Sequence, residues 1–144
     1  MRPVFNILLA EDSSDDVLLM QHAFERAGVV SRLLVVPDGL QALAYLYGEG
    51  NFGDRAAYPL PDILLLDLGL PGMSGFELLA RLRRDTQFRH LAVHVLTNSS
   101  QDEDAQRARD LGASSYVLKP NSAKELTDFV SALHYWHQVV TVRG

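Results

Sequence analysis

The sequence predicts a doubly wound α/β domain, a parallel sheet of five strands with five helices spread over its two faces. Three observations carry this prediction. Five short runs rich in Val, Ile and Leu, with little polar alternation, have strand length and read as strands buried on both faces. Helical patterns separate them, so strand and helix alternate five times, and parallel neighbours need such crossovers. With 144 residues, 47% of them hydrophobic, the chain has the size of one ordinary domain with its own core, so residues 1–144 are expected to form a single domain.

The elements follow in order. Phe5–Ala10 is the first strand, and Val17, Met20, Phe24 and Ala27 recur at helical spacing after it until Gly28 supplies a stop. Leu33–Val36 is the second strand and Gly39 to Tyr47 the second helix. Residues 48–61 form a polar connection containing Gly and Pro, at the upper end of usual loop lengths. Ile63–Leu66 is the third strand; Gly75 to Arg84, with Phe76, Leu79 and Ala80 on one side, is the third helix. Ala92–Leu96 and a helix over about Asp102 to Leu111, ending at Gly112, come next. After the last strand, Tyr116–Leu118, a helix starts at Ser122 and carries Leu126, Phe129, Val130, Leu133, Trp136 and Val140 on one stripe.

Composition narrows the function classes. A formal charge of −5 with no Lys/Arg-rich block argues against nucleic-acid binding. Cysteine is absent, which excludes disulfides and thiolate metal sites and fits a cytoplasmic address. The apolar run at Val4–Ala10 is too short to span a bilayer, so no membrane association is expected. His90 and His94 sit where a strand begins, too far from helical geometry to share zinc. His134 and His137 could pair on the last helix, although packed or solvated histidines are the expected outcome for both pairs.

In open parallel sheets, ligands bind beyond the carboxyl ends of the strands. Here the first strand runs into Glu11-Asp12, the third into Asp67, the fourth into Thr97, and the fifth into Lys119-Pro120. Clustered carboxylates repel one another unless a hard divalent cation such as Mg²⁺ holds them. A lysine and a threonine hydroxyl beside them suit a transferred phosphoryl group, whose transition state needs positioning and charge neutralisation, and Asp67 is then the candidate nucleophile. Each residue also has a plainer reading. Asp15 and Asp16 are expected only to complement the positive end of the first helix, and Asp67 alone could be a turn residue closing a strand. The coincidence at four strand ends favours the site.

The segments Leu66-Asp67-Leu68-Gly69-Leu70-Pro71-Gly72-Met73-Ser74-Gly75, Val95-Leu96-Thr97 and Tyr116-Val117-Leu118-Lys119-Pro120 resemble the response-regulator receiver family of two-component signalling, over nearly the whole chain. The resemblance implies a flavodoxin-like strand order, 2-1-3-4-5. It also implies that Asp67 accepts a phosphoryl group from a sensor histidine kinase or phosphotransfer protein. Asp12 and Asp67 would bind Mg²⁺ directly with the backbone carbonyl of Gly69, and Glu11 through water, while Lys119 holds the phosphoryl oxygens. Thr97 and Tyr116 would form the switch, remodelling the face made by the fourth helix, fifth strand and fifth helix, and a cis peptide would precede Pro120. The protein would be no enzyme beyond catalysing its own phosphorylation and dephosphorylation. No effector domain is expected after the last helix, so output falls to docking on another protein or passing the phosphoryl group onward, and homodimerisation through the switch face or the last helix is a second expected use. The longer 48–61 connection, about ten residues more than the shortest receivers have, resembles a subfamily. Taken with Asp38-Gly39, Tyr58-Pro59 to Pro61, and Trp136, it is similar to single-domain receivers that serve bacterial phytochrome kinases.

Two positions depart from the usual pattern. Gly69, two residues after Asp67, and Ser99, two after Thr97, offer little to orient an attacking water, which predicts slow self-dephosphorylation. Asn98 is larger than the residue usual directly after the threonine, and predicts crowding at the phosphate. The Gly69-x-x-Gly72-x-x-Gly75 spacing lacks the lysine of a phosphate-binding loop. Competing functions are a phosphorylation-independent interaction module, which would not need the Glu11, Asp12, Asp67, Thr97 and Lys119 set, and an aspartyl-phosphate phosphohydrolase, which would need an acid where Gly69 stands.

Overall fold

A computed structural model describes residues 4–143, with side chains through residue 139. Five strands, β1 (Phe5–Ala10), β2 (Ser31–Val36), β3 (Ile63–Asp67), β4 (Ala92–Thr97) and β5 (Ser115–Leu118), form one sheet in the order β2-β1-β3-β4-β5, every neighbouring pair parallel. Helices α1 (Ser14–Ala27), α2 (Gly39–Tyr47), α3 (Gly75–Arg84) and α4 (Asp102–Asp110) make the crossovers, and with α5 (Ala123–Arg143), which follows the last strand, they cover the two faces. This is the flavodoxin-like order that the family resemblance implies.

The alternation of strand side chains divides the core. Ile7 and Leu9 of β1 and Ile63 and Leu65 of β3 turn to the face where α1 supplies Met20 and Phe24 and α5 supplies Leu126, Val130 and Leu133. Leu8, Ala10, Leu64 and Leu66 turn the other way, to Tyr45 and Leu46 of α2 and Leu78, Leu79 and Leu82 of α3. Full burial of such a side chain contributes about 1.5–3 kcal/mol relative to exposure, so β1 and β3 hold the sheet's centre and place their carboxyl ends firmly. α4 is held by much less: Ala108 is its one buried residue, and Arg107 lies over the Phe76 ring at 4.2 Å.

Local chemistry sets the helix starts. The Ser13, Asp38, Ser74 and Ser122 side chains each accept the backbone N–H three residues on, satisfying donors that a helix leaves free. Gly28 and Gly48 end α1 and α2 at φ 69° and 67°, where a side chain would be strained.

Three expectations are corrected. α3 buries Gly75, Leu78, Leu79 and Leu82 rather than a Phe76, Leu79, Ala80 side. Its Gly75 lies so close to β3 that a Cβ would meet the Asp67 carbonyl oxygen and Leu68 Cα at 2.9 Å, which turns that side inward. β2 and β5 are not buried on both faces, because they are the sheet's edges, and Val35 and Leu118 are exposed. Trp136 is 36% exposed and closes the stripe edge-on to His94, while the Val140 side chain lies outside the described residues.

The connection 48–61 is packed rather than loose. Phe52 and Tyr58 contact the Tyr45 ring, and the Arg55 guanidinium donates to the carbonyls of Tyr45, Leu46 and Tyr58, stapling the segment to the end of α2.

Candidate functional site

Register carries the site. Ala10 pairs with Leu66, Asp67 with Leu96 and Thr97 with Leu118, so Glu11, Asp67, Thr97 and Lys119 emerge together at the carboxyl edge. Glu11, Asp12 and Asp67 each present an oxygen within 4.8 Å of the others, the one such group able to share an ion among the described residues. Lys119 Nζ sits among carboxylates, 2.7 Å from Glu11 Oε1, 2.8 Å from Asp16 Oδ2 and 3.1 Å from Asp67 Oδ2. Gly69 stands exposed beside Asp67, its N–H donating to Asp67 Oδ1 at 3.0 Å.

The sequence missed one member. Asp16 was expected only to complement the first turn of α1, yet its carboxylate pairs with Lys119. Its partner lies 103 residues away, so no local pattern marks it. Asp15 remains in that exposed turn.

Electrostatics separates the carboxyl groups. Glu11 is 4% exposed, and burial, reinforced by the neighbouring Asp67, pushes its pKa up to about 8 against the opposing pull of Lys119. Burial alone would raise Asp67, but the adjacent Glu11 carboxyl, the Gly69 amide and Lys119 reverse this and hold it below the usual carboxylate range. Asp67 is therefore ionised at neutral pH. Asp16 is lowered, chiefly by Lys119. Burial would likewise depress Lys119, yet its bonds to Asp16, Glu11 and Asp67 raise it above the ordinary lysine value.

The donor set fits a hard divalent cation. Glu11 Oε2 is buried and has no hydrogen-bond partner, a position costly for any carboxyl oxygen unless an ion or its water is the partner. Three oxygen-bearing acids without sulfur or histidine are the ligands Mg²⁺ accepts. Below them, Leu9, Met20, Leu96, Leu126 and Pro120 line a cavity of about 50 Å³ that reaches Glu11 and Lys119.

Thr97 and Tyr116 stand on the far side from Asp12. Buried Thr97 accepts the Ser99 N–H at Oγ1, 3.1 Å, and no hydrogen bond links it to Asp67 among the described residues. Tyr116 donates its hydroxyl to the Ser99 carbonyl, 3.0 Å. The Ser99 hydroxyl is itself engaged, donating to Asp104 Oδ2 at 2.6 Å and accepting the Gln101 N–H. Asn98 is exposed. The Lys119-Pro120 peptide is trans, because the described residues contain no cis bond; trans is the form X–Pro bonds ordinarily favour by about 0.5–1 kcal/mol.

Neither histidine pair belongs to a metal-ligating cluster among the described residues. His134 and His137 pack on Phe5, His90 is exposed, and His94 is buried with Nδ1 2.6 Å from Ser115 Oγ and Nε2 unpartnered.

A family model described as the response regulator receiver domain matches residues 7–131. The chain belongs to that family. Relatives of similar length agree with this placement. The chain is 40% identical to a probable methanogenesis regulatory protein, FilR2, of Methanothrix harundinacea, over 92% of this chain and 83% of that protein. It is 32% identical to response regulator Rcp1 of Synechocystis, over 94% and 91%. Among solved structures, the response regulator RPA3017 in red light signalling of R. palustris superposes with a TM-score of 0.85 at 36% identity, covering 92% of this chain and 91% of that one. The phosphorylated cyanobacterial phytochrome response regulator RcpA gives 0.85 at 31%, covering 94% and 95%. The Mn²⁺-bound form of Rcp1 gives 0.78 at 32%, covering 89% and 90%. This receiver therefore stands beside response regulators of phytochrome signalling, as the 48–61 segment and Trp136 suggested. No helix among the described residues is long and apolar enough to cross a membrane.

Proposed function

We propose that this receiver accepts a phosphoryl group on Asp67 from the phosphohistidine of a sensor histidine kinase or phosphotransfer protein. The observation that carries the reading is the position of Asp67, ionised, between the Glu11-Asp12 acids and the Lys119 ammonium. An Asp67 carboxylate oxygen forms the new bond to phosphorus as the phosphorus–nitrogen bond to the histidine breaks, and the departing imidazole nitrogen retains the electron pair and takes a proton. Lys119 neutralises charge gathering on the phosphoryl oxygens. Bound by Asp12, Asp67 and the Gly69 carbonyl, with Glu11 acting through water, Mg²⁺ would screen the attacking and transferring oxygens from each other.

Thr97 is the hydroxyl placed to meet the new phosphoryl group, and Tyr116 is the residue whose position follows it. Phosphorylation supplies a dianion that the unmodified state lacks, and that difference is what can shift α4, β5 and α5 toward the signalling arrangement. The sparse packing of α4 supports this. Output is by docking to a partner protein or by relay of the phosphoryl group, with homodimerisation through the switch face or α5 as a second use. The protein acts in the cytoplasm as a signalling protein whose only chemistry is on itself, and residues 1–144 form one unit.

Incubation with Mg²⁺ and phosphoramidate, followed by intact mass measurement, tests the reading. The native chain gains one phosphoryl mass and Asp67→Asn gains none; equal behaviour of the two would refute it.

A further inference from the structure

The Lys119 ammonium has three N–H donors, and three carboxylates accept from it: Glu11 at 2.7 Å, Asp16 at 2.8 Å and Asp67 at 3.1 Å. No donor is left over. For Lys119 to hold a phosphoryl oxygen, one of these partners must be released. Asp67 carries the transferred group. The Glu11 side chain is 3% exposed, so losing its cation would leave a second buried oxygen unpartnered. The Asp16 side chain is 39% exposed and can return to water at the smallest desolvation cost. It also belongs to α1 rather than to the sheet edge, fixed there through the bond from its N–H to Ser13 Oγ.

We propose that Asp16 is a positioning residue that holds Lys119 in reserve, and that Lys119 exchanges Asp16 for a phosphoryl oxygen during transfer. This rests on the phosphoacceptor reading above. Asp16 competes with the incoming group twice, by occupying a lysine donor and by presenting a like charge to a phosphate dianion. The exchange also loosens the ion pair that joins α1 to the segment after β5, so the state of Asp67 is felt at the start of α1.

The test is phosphorylation kinetics with phosphoramidate at saturating Mg²⁺, comparing the native chain, Asp16→Asn and Asp16→Glu, at low and high salt. Asp16→Asn is expected to raise the second-order rate constant about fivefold at low salt, the scale of a partly exposed pair, and to lose that advantage at high salt. Asp16→Glu keeps the charge and is expected to restore the native rate. A residue that merely supported the fold would slow the reaction when replaced, would show no such salt dependence, and would lower the melting temperature in step. The inference is overturned if Asp16→Asn matches the native rate, or if it slows the reaction as loss of Lys119 would, since Asp16 would then be needed to aim the lysine. A native chain that takes no phosphoryl group at all would instead remove the phosphoacceptor reading, and the exchange with it.

Discussion

Lys119 Nζ lies 3.1 Å from Asp67 Oδ2, although 52 residues separate the two in sequence. Two parallel strand ends bring them together, and the contact defines what each can do. The lysine helps to keep Asp67 ionised, and Asp67 helps to keep the lysine charged.

Lys119→Met is therefore expected to slow phosphorylation of Asp67 by roughly a hundredfold, the scale of losing one group that stabilises developing charge. Phosphoryl incorporation over time, followed by intact mass, measures this. A rate within threefold of native would show that the lysine does not meet the phosphoryl group.

Gly69 leaves the space beside Asp67 open. A Cβ there would sit 3.6 Å from Asp67 Oδ1, an ordinary contact, so a longer side chain fits. Because Ser99 already spends its hydroxyl on Asp104 and Gln101, neither position orients an attacking water. Gly69→Asn should speed decay of the phosphorylated protein about tenfold by positioning that water, as read from loss of the phosphoryl mass; an unchanged decay would mean that water access is set elsewhere.

Tyr116 ties β5 to the segment before α4 through the Ser99 carbonyl. Tyr116→Phe removes one hydrogen bond and is expected to cost about 1 kcal/mol. Amide exchange over residues 99–104 should accelerate while phosphorylation of Asp67 stays within twofold of native. Slower phosphorylation would place Tyr116 in the chemistry instead of in its readout.

His94 offers a pH signature. Burial pushes its pKa down to about 4 from an ordinary 6.5. The unfolded chain then binds the extra proton between these values, so stability from this source is complete above about pH 6.5 and is lost as pH falls toward 4, about 3 kcal/mol in all. Glu11 acts with the opposite sign, because its raised pKa favours the folded state at low pH and withdraws that stability as pH rises through about 8. The comparison that isolates His94 is native against His94→Gln. Urea unfolding followed by Trp136, which stacks edge-on against His94, should show native losing about 2 kcal/mol more than the variant between pH 7 and pH 5.

Much of this was legible in the chain. Asp67, Thr97 and Lys119 were readable because strand ends in a parallel sheet share one edge, so a polar residue closing an apolar run is already placed. The start of the last helix at Ser122 follows from a hydroxyl that precedes a periodic run. Asp16 was not readable: its first-turn position has a sufficient local explanation, and only folding brings Lys119 to it. The inward side of α3 was misread because the approach of Gly75 to β3, a tertiary contact, outweighs the bulk of Phe76. Edge exposure of β2 and β5 likewise depends on strand order, which apolar runs alone do not encode.

The proposed seat of the phosphoryl group is Asp67. Borohydride reduction of the phosphorylated protein, followed by peptide mass mapping, reads this directly, since an acyl phosphate is reduced to the alcohol and converts that aspartate to homoserine. Homoserine is expected at position 67 alone, dependent on Mg²⁺. Homoserine at position 12 or 16, or a phosphoryl group that survives borohydride on a hydroxyl or imidazole, would contradict it.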